Sequence, residues 1–132
     1  MQEKIQLITV LSILSVSTAS IRRLIRDDNF PKPEKIGNQL YFETSLVYKW
    51  LSTLADRSVA IGDKLLSSKQ LEALFNRSSA WVWVHFQKNR IRKEKAIYIR
   101  SRPMWLESDI QSDKDLSKYL ELLESEKVQE VA

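Results

Sequence analysis

Cysteine is absent from this 132-residue chain, and histidine occurs once, as His85. The first absence excludes a disulfide framework, a thiol nucleophile and a cysteine-based zinc site; the second excludes a histidine-rich metal centre. Glycine is found only at Gly37 and Gly62, so no glycine-rich loop is available to cradle a phosphate. Long apolar runs are missing too. The stretch from Leu7 to Leu14 is broken by Thr9 and Ser12 and is too short to span a bilayer, and the start lacks a convincing signal-cleavage region. A soluble intracellular protein without a membrane partner is expected. No hydroxyl, thiol or carboxylate partner for His85 is implied by local spacing, so it is read as a structural histidine, with no cofactor and no enzymatic activity expected.

What the chain does contain is charge, unevenly placed. Residues 1–60 carry 8 basic and 6 acidic side chains (+2), residues 61–102 carry 10 and 3 (+7), and residues 103–132 carry 3 and 8 (−5). A cationic surface of this kind favours a polyanion through counterion release and long-range steering. With 43% hydrophobic residues there is also enough apolar material for a core.

The chain is organised around Val16 to Pro33, V-S-T-A-S-I-R-R-L-I-R-D-D-N-F-P-K-P. Ser17 is placed to cap a helix, with Val16 and Ile21 as a hydrophobic staple. Ile21, Leu24 and Ile25 share one face of that helix while Arg22, Arg23 and Arg26 fall largely outside it. Asp27, Asp28 and Asn29 favour a turn, and Pro31 and Pro33 stop further helix. Upstream, Leu7, Val10, Leu11 and Leu14 have amphipathic helical spacing. So short a connection makes the two helices cross at an angle, in helix-turn-helix geometry.

Downstream, Glu34–Ile36 and Gln39–Phe42 are predicted to form a hairpin around Gly37-Asn38, a wing beside the second helix. Thr44 is placed to cap a third helix bearing Leu46, Val47, Trp50, Leu51 and Leu54, with Tyr48 and Trp50 covering the core. That helix is expected to extend as far as Ala60, before a turn at Gly62-Asp63.

The plan then repeats. Residues 5–25 align without a gap on residues 66–86, pairing Val10 with Leu71, Leu14 with Phe75, Ser17 with Ser78 and Ile21 with Val82. Q-L-Y-F-E-T-S-L (39–46) resembles P-M-W-L-E-S-D-I (103–110), with Thr44 and Ser108 as matching caps. The expected fold is mainly α with small β-hairpin wings, as tandem winged helix-turn-helix domains at 1–60 and 61–132.

The copies differ in chemistry. Arg22 and Arg23 correspond to Trp83 and Val84, and positive charge in the second copy lies farther on, at Lys88, Arg90, Arg92, Lys93, Lys95, Arg100 and Arg102. Either this loop and wing grip phosphates, or Trp81, Trp83 and Val84 form an apolar patch against the first domain or a partner. The tail carries a stripe of Leu116, Tyr119, Leu120, Leu123 and Val128 that closes the second domain or pairs with another subunit.

Residues 16–50 resemble the AlpA-like phage regulatory proteins and the excisionase-type branch of the MerR-like winged-helix superfamily. The resemblance is carried by V-S-T-A-S-I-R-R-L-I, D-N-F-P-K-P and G-N-Q-L-Y-F-E-T-S-L-V-Y-K-W-L. Ser15 stands where that family often has glycine, and the second half lacks F-P-K-P. The resemblance implies a major-groove helix over Thr18–Arg26, with DNA contacts from Ser17, Thr18, Ser20, Arg22, Arg23 and Arg26, and wing contacts from Lys35 and Asn38. It implies a cytoplasmic, nucleoid-associated regulator of a phage, plasmid or mobile element that binds double-stranded DNA sequence-specifically. One alternative is an excisionase-like recombination directionality factor that bends attachment-site DNA and contacts an integrase. Another is a protein-interaction adaptor on a winged-helix scaffold, using Trp81, Trp83, Val84, Leu116, Leu120 and Leu123, with self-association as one outcome.

Overall fold

The computed structural model describes the backbone of residues 3–131 and the side chains of residues 3–125. It is mainly helical, with two small antiparallel sheets of three strands each. The chain divides into two compact units, residues 1–65 and 66–132.

In the first unit the order is β1 (Lys4–Gln6), α1 (Leu7–Leu14), α2 (Thr18–Asp27), β2 (Glu34–Ile36), β3 (Gln39–Glu43) and α3 (Thr44–Ala55). The same order recurs as β4 (Leu65–Ser67), α4 (Ser68–Phe75), α5 (Ser79–Gln87), β5 (Ile97–Ile99), β6 (Arg102–Leu106) and α6 (Glu107–Ser112), followed by α7 (Lys114–Val131). The sheets match as well, ordered β1-β3-β2 and β4-β6-β5. Local hydrogen bonds recur at equivalent places. Ser17 Oγ accepts from the Ser20 amide at 3.2 Å, and Ser78 Oγ from the Trp81 amide at 3.1 Å. The Phe30 amide donates to Leu24 O at 3.1 Å, and the Ile91 amide to His85 O at 3.2 Å.

The axes of α1 and α2 turn through 87°. That excludes an antiparallel helical hairpin and is close to the ~90–120° of a helix-turn-helix pair. The turn is made by Ser15, which ends α1 in the left-handed region (φ 54°, ψ 48°). The position assigned to glycine by the resemblance is therefore one where backbone geometry favours glycine, here occupied by serine. Its counterpart is Asn76 (φ 53°), a residue better suited to that conformation.

The first core gathers Val10, Leu14, Ile21, Leu24, Phe30, Phe42, Val47 and Leu51, all essentially buried. Phe30 lies 5.8 Å from the Phe42 ring and meets Trp50 edge-on at 5.0 Å, while Trp50 Nε1 donates to Asp28 O at 2.9 Å. The F-P-K-P segment thus plugs the core with its phenylalanine and carries the chain onward to β2. Tyr48 is buried and its hydroxyl donates to Asp63 O. The second core gathers Leu66, Leu71, Phe75, Val82, Phe86, Ile91, Trp105, Ile110 and Leu116.

Five points of the sequence reading need correction. β1 was unforeseen: it pairs with β3 on the edge opposite β2, placing Ile5 opposite Phe42. Thr44 does not cap α3, which is preceded by Glu43 with no side-chain cap; the Thr44 amide instead donates to Glu3 O, because the β1–β3 pairing runs right up to the helix start. Ser108 likewise lies inside α6, whose cap position is Leu106. β3 and β6 correspond one residue away from the expected match, so that Phe42 and Trp105, each 1% exposed, share the core position. Finally, α3 stops at Ala55, where Asp56 turns left-handed (φ 56°), well before Ala60.

The two hairpins use different turns. Gly37 takes φ +63° in the first, whereas both Arg100 (φ 49°) and Ser101 (φ 75°) are left-handed in the second. Two successive positive φ angles are what a type I′ turn requires, and Asn-Gly satisfies them best. Side-chain strain there, about 1–2 kcal/mol, exceeds the extra unfolded-chain entropy of glycine, about 0.4–1 kcal/mol. Ser101→Gly is therefore expected to stabilise the protein by roughly 0.5–1 kcal/mol, read as a raised urea midpoint with an unchanged slope.

Candidate nucleic-acid interface

α2 is built to present one face. With about 100° per residue, the buried Ile21 and Leu24 lie opposite a stripe of Ala19, Arg22, Arg23 and Arg26, all exposed. The Ser17 cap satisfies the first turn, and Phe30 anchors the far end by accepting a place in the core. Arg22 and Arg23 make no ion pair among the described residues. Arg26 differs: its Nε and Nη2 each donate to the Asp27 carboxylate at 2.9 Å, and this pairing raises its already high pKa. Both partners are exposed, so the pair is weak enough to exchange.

Of the remaining expected contacts, Thr18 is exposed at the first helical position. Ser17 and Ser20 are engaged with each other, the Ser17 hydroxyl donating to Ser20 Oγ at 3.1 Å, and Ser20 is half-buried on the flank of the inward face. Lys35 and Asn38 are exposed on the β2–β3 hairpin. That hairpin is braced at its base by an exposed Lys4–Glu34 ion pair at 2.6 Å, which raises the Lys4 pKa. Ala19, in the middle of the outward stripe, was missed; helical spacing from Arg22, Arg23 and Arg26 would have found it.

In the second unit α5 presents the equivalent stripe with different side chains: Ala80, Trp83, Val84 and Gln87. Trp83 is 61% exposed and Val84 41%, among the largest exposed apolar surfaces of the unit. Lys88, at the C-terminal end of α5, is exposed, as are Lys93 and Arg102, and the three make no ion pair among the described residues. Arg100, also exposed, lies in the β5–β6 turn.

Arg90 and Arg92, expected to grip phosphates, both engage α7. Arg90 lies over the Tyr119 ring at 4.4 Å and donates to its hydroxyl at 3.2 Å. Arg92 pairs with Asp115 and lies 3.6 Å from Asp113. Two side chains expected at a protein interface pack within the second unit. Leu116 is 3% exposed in the second core, because α7 folds back onto that unit. Trp81 is half-buried and ringed by Phe75 at 5.9 Å, His85 at 4.1 Å and Tyr119 at 6.4 Å. Leu120 packs against the same core and Leu123 is half-buried, whereas the Val128 side chain lies outside the described residues.

His85 occupies the core position of Leu24 and is 6% exposed. Arg90 Nη1 lies 3.0 Å from its Nδ1. A guanidinium only donates, so Nδ1 accepts and the imidazole is neutral, with its proton on Nε2. Burial, together with the positive charges of Arg90 and Lys88, lowers its pKa below the ordinary 6.5. The unfolded state therefore binds the extra proton more readily, and His85 costs stability as pH falls below about 6.5 toward the folded-state value. His85→Leu is expected to flatten this part of the stability profile between pH 7 and pH 5, measured as the wild-type-minus-variant difference in urea midpoint. An equal pH dependence in both proteins would assign the effect elsewhere.

No group of three or more His, Asp or Glu side chains among the described residues could hold a metal ion. No single helix there is long and apolar enough to cross a membrane. What remains is a pair of outward helical stripes, one cationic and one apolar with an amide end, each followed in the chain by a β-hairpin with exposed basic residues. No protein-family model matches the chain, and no curated protein or solved structure does so.

Proposed function

We propose that each unit is a winged helix-turn-helix, and that the chain is an AlpA-like, sequence-specific binder of double-stranded DNA that regulates transcription. In this reading α1 and α2 are the helix-turn-helix pair, α2 lies in the major groove, and the β2–β3 hairpin is the wing. The observation that carries it is the outward stripe of α2, where Arg22 and Arg23 stand exposed, with no ion pair among the described residues, on a helix whose opposite face is locked into the core. A planar guanidinium reads guanine O6 and N7 bidentately in the major groove. Lys35 and Asn38 on the wing are suited to phosphate or minor-groove contact, which positions the protein without reading sequence. An excisionase-like factor would use the same surface and differ in bending its site and engaging an integrase.

The test is nuclease protection of fragments from the protein's own genomic neighbourhood across a salt series. A discrete footprint that survives near 0.15 M salt is the expected result. Diffuse protection that fades as salt rises would reduce the interaction to nonspecific phosphate attraction and remove the reading.

A further inference from the structure

The stripe on α5 is the least explained surface of the second unit. Trp83 and Val84 are well exposed there, at positions matching Arg22 and Arg23, with Ala80 before them and Gln87 in the place of Arg26. The helix that presents them is capped by Ser78 just as α2 is capped by Ser17, and Val82 and Phe86 anchor its inner face. An apolar stripe facing water needs a partner that covers it, and the surrounding charge says what kind. From Arg77 to Arg102 the chain carries eight basic residues and one acidic one; Arg77 and Arg92 pair with carboxylates of α7 and Arg90 lies over Tyr119, while Lys88, Lys93 and Arg102 extend into solvent.

Resting on the proposal that this chain binds duplex DNA, we infer that the α5 stripe reads A·T base pairs in the major groove. The C5-methyl of thymine is the only apolar group the major-groove base edges offer, and it is met by small or flat apolar side chains; adenine N6 and N7 are met bidentately by a glutamine amide. Val84 and Ala80 are the right size for the methyl, Trp83 adds a broad apolar surface, and Gln87 supplies the amide. Lys88, Lys93 and Arg102 take the phosphates on either side. The two units then divide the code, Arg22 and Arg23 taking guanine and the α5 stripe taking adenine and thymine. A protein partner would also cover Trp83, but it would leave the flanking cations without a role.

Deoxyuridine differs from thymidine only by lacking the methyl, so it tests this reading without altering the protein. The full-length chain is used to select its site from a random duplex library, and the site is resynthesised with deoxyuridine at one thymidine at a time. Each methyl buried against the stripe should be worth about fourfold in affinity, and the penalty should vanish in W83A/V84A. Circular dichroism checks that this variant, altered only at exposed positions, stays folded. A specifically bound site at which every deoxyuridine is neutral, or at which W83A/V84A leaves the penalties intact, overturns the inference while sparing DNA recognition by α2. If W83A/V84A instead changes the sedimentation of the free chain, the stripe is a contact between copies. Selection of no sequence at all would remove the DNA-binding reading itself.

Discussion

R22A/R23A is expected to lose most of its sequence-specific DNA affinity while keeping its fold. Each bidentate arginine–guanine pair contributes about 1–3 kcal/mol of discrimination, so the double variant should bind its selected site roughly 30- to 10⁴-fold more weakly. Nonspecific binding rests on phosphate attraction spread over many cations and should fall by less than about tenfold. Both side chains are exposed and support no internal hydrogen bond or ion pair among the described residues, so the urea midpoint should scarcely move. If specific and nonspecific affinity instead drop together, and the salt slope falls by about two, Arg22 and Arg23 are phosphate clamps and the recognition surface lies elsewhere.

The largest expected effect on stability comes from Phe30. Its ring is 2% exposed, within reach of Phe42 and Trp50, and its amide helps to close the end of α2. Phe30→Ala should cost about 3–5 kcal/mol through lost burial and the cavity left behind. For a unit of some 65 residues that is most of the stability available. Amide exchange should show α2 and β3 losing protection together. Phe30→Leu, which keeps much of the volume, should recover most of the loss. A small effect from Phe30→Ala would mean that Trp50 collapses into the space and that F-P-K-P acts as a linker only.

Much of this architecture is legible in the chain because it is specified locally. The Ser17 cap and the Ile21–Leu24 inner face of α2 need no information beyond a few neighbouring residues, and the structure has them. The Gly37-Asn38 hairpin is similar, since a two-residue loop between strands is a short-range signal. What escaped was set by distant partners. The three residues of β1 are too few to display an alternating pattern, and the strand exists because β3 offers an edge to it. The same pairing removed the need for a Thr44 cap by supplying Glu3 O to the helix's first amide. The second unit hid more, because α7 returns to cover Trp81 and His85 with Tyr119 and engages Arg90 and Arg92. Nothing in the run of cations from Lys88 to Arg102 distinguishes a residue held by a later helix from one left in solvent. The outward stripes fared better: Arg22 and Arg23 were found by helical period, and Trp83 and Val84 by alignment to them.

The two units share an element order but not an outward face, Arg22 and Arg23 standing where the other has Trp83 and Val84. No rotation that exchanges the units can therefore exchange like for like. A homodimer of identical reading heads calls for a palindrome and sits on it equally well in either direction. If both units bind DNA as proposed, a single chain with two unlike heads calls for an asymmetric site and can occupy it in one direction only. On DNA such a molecule has a front and a back, and anything recruited to one end of it acquires a defined side of the site.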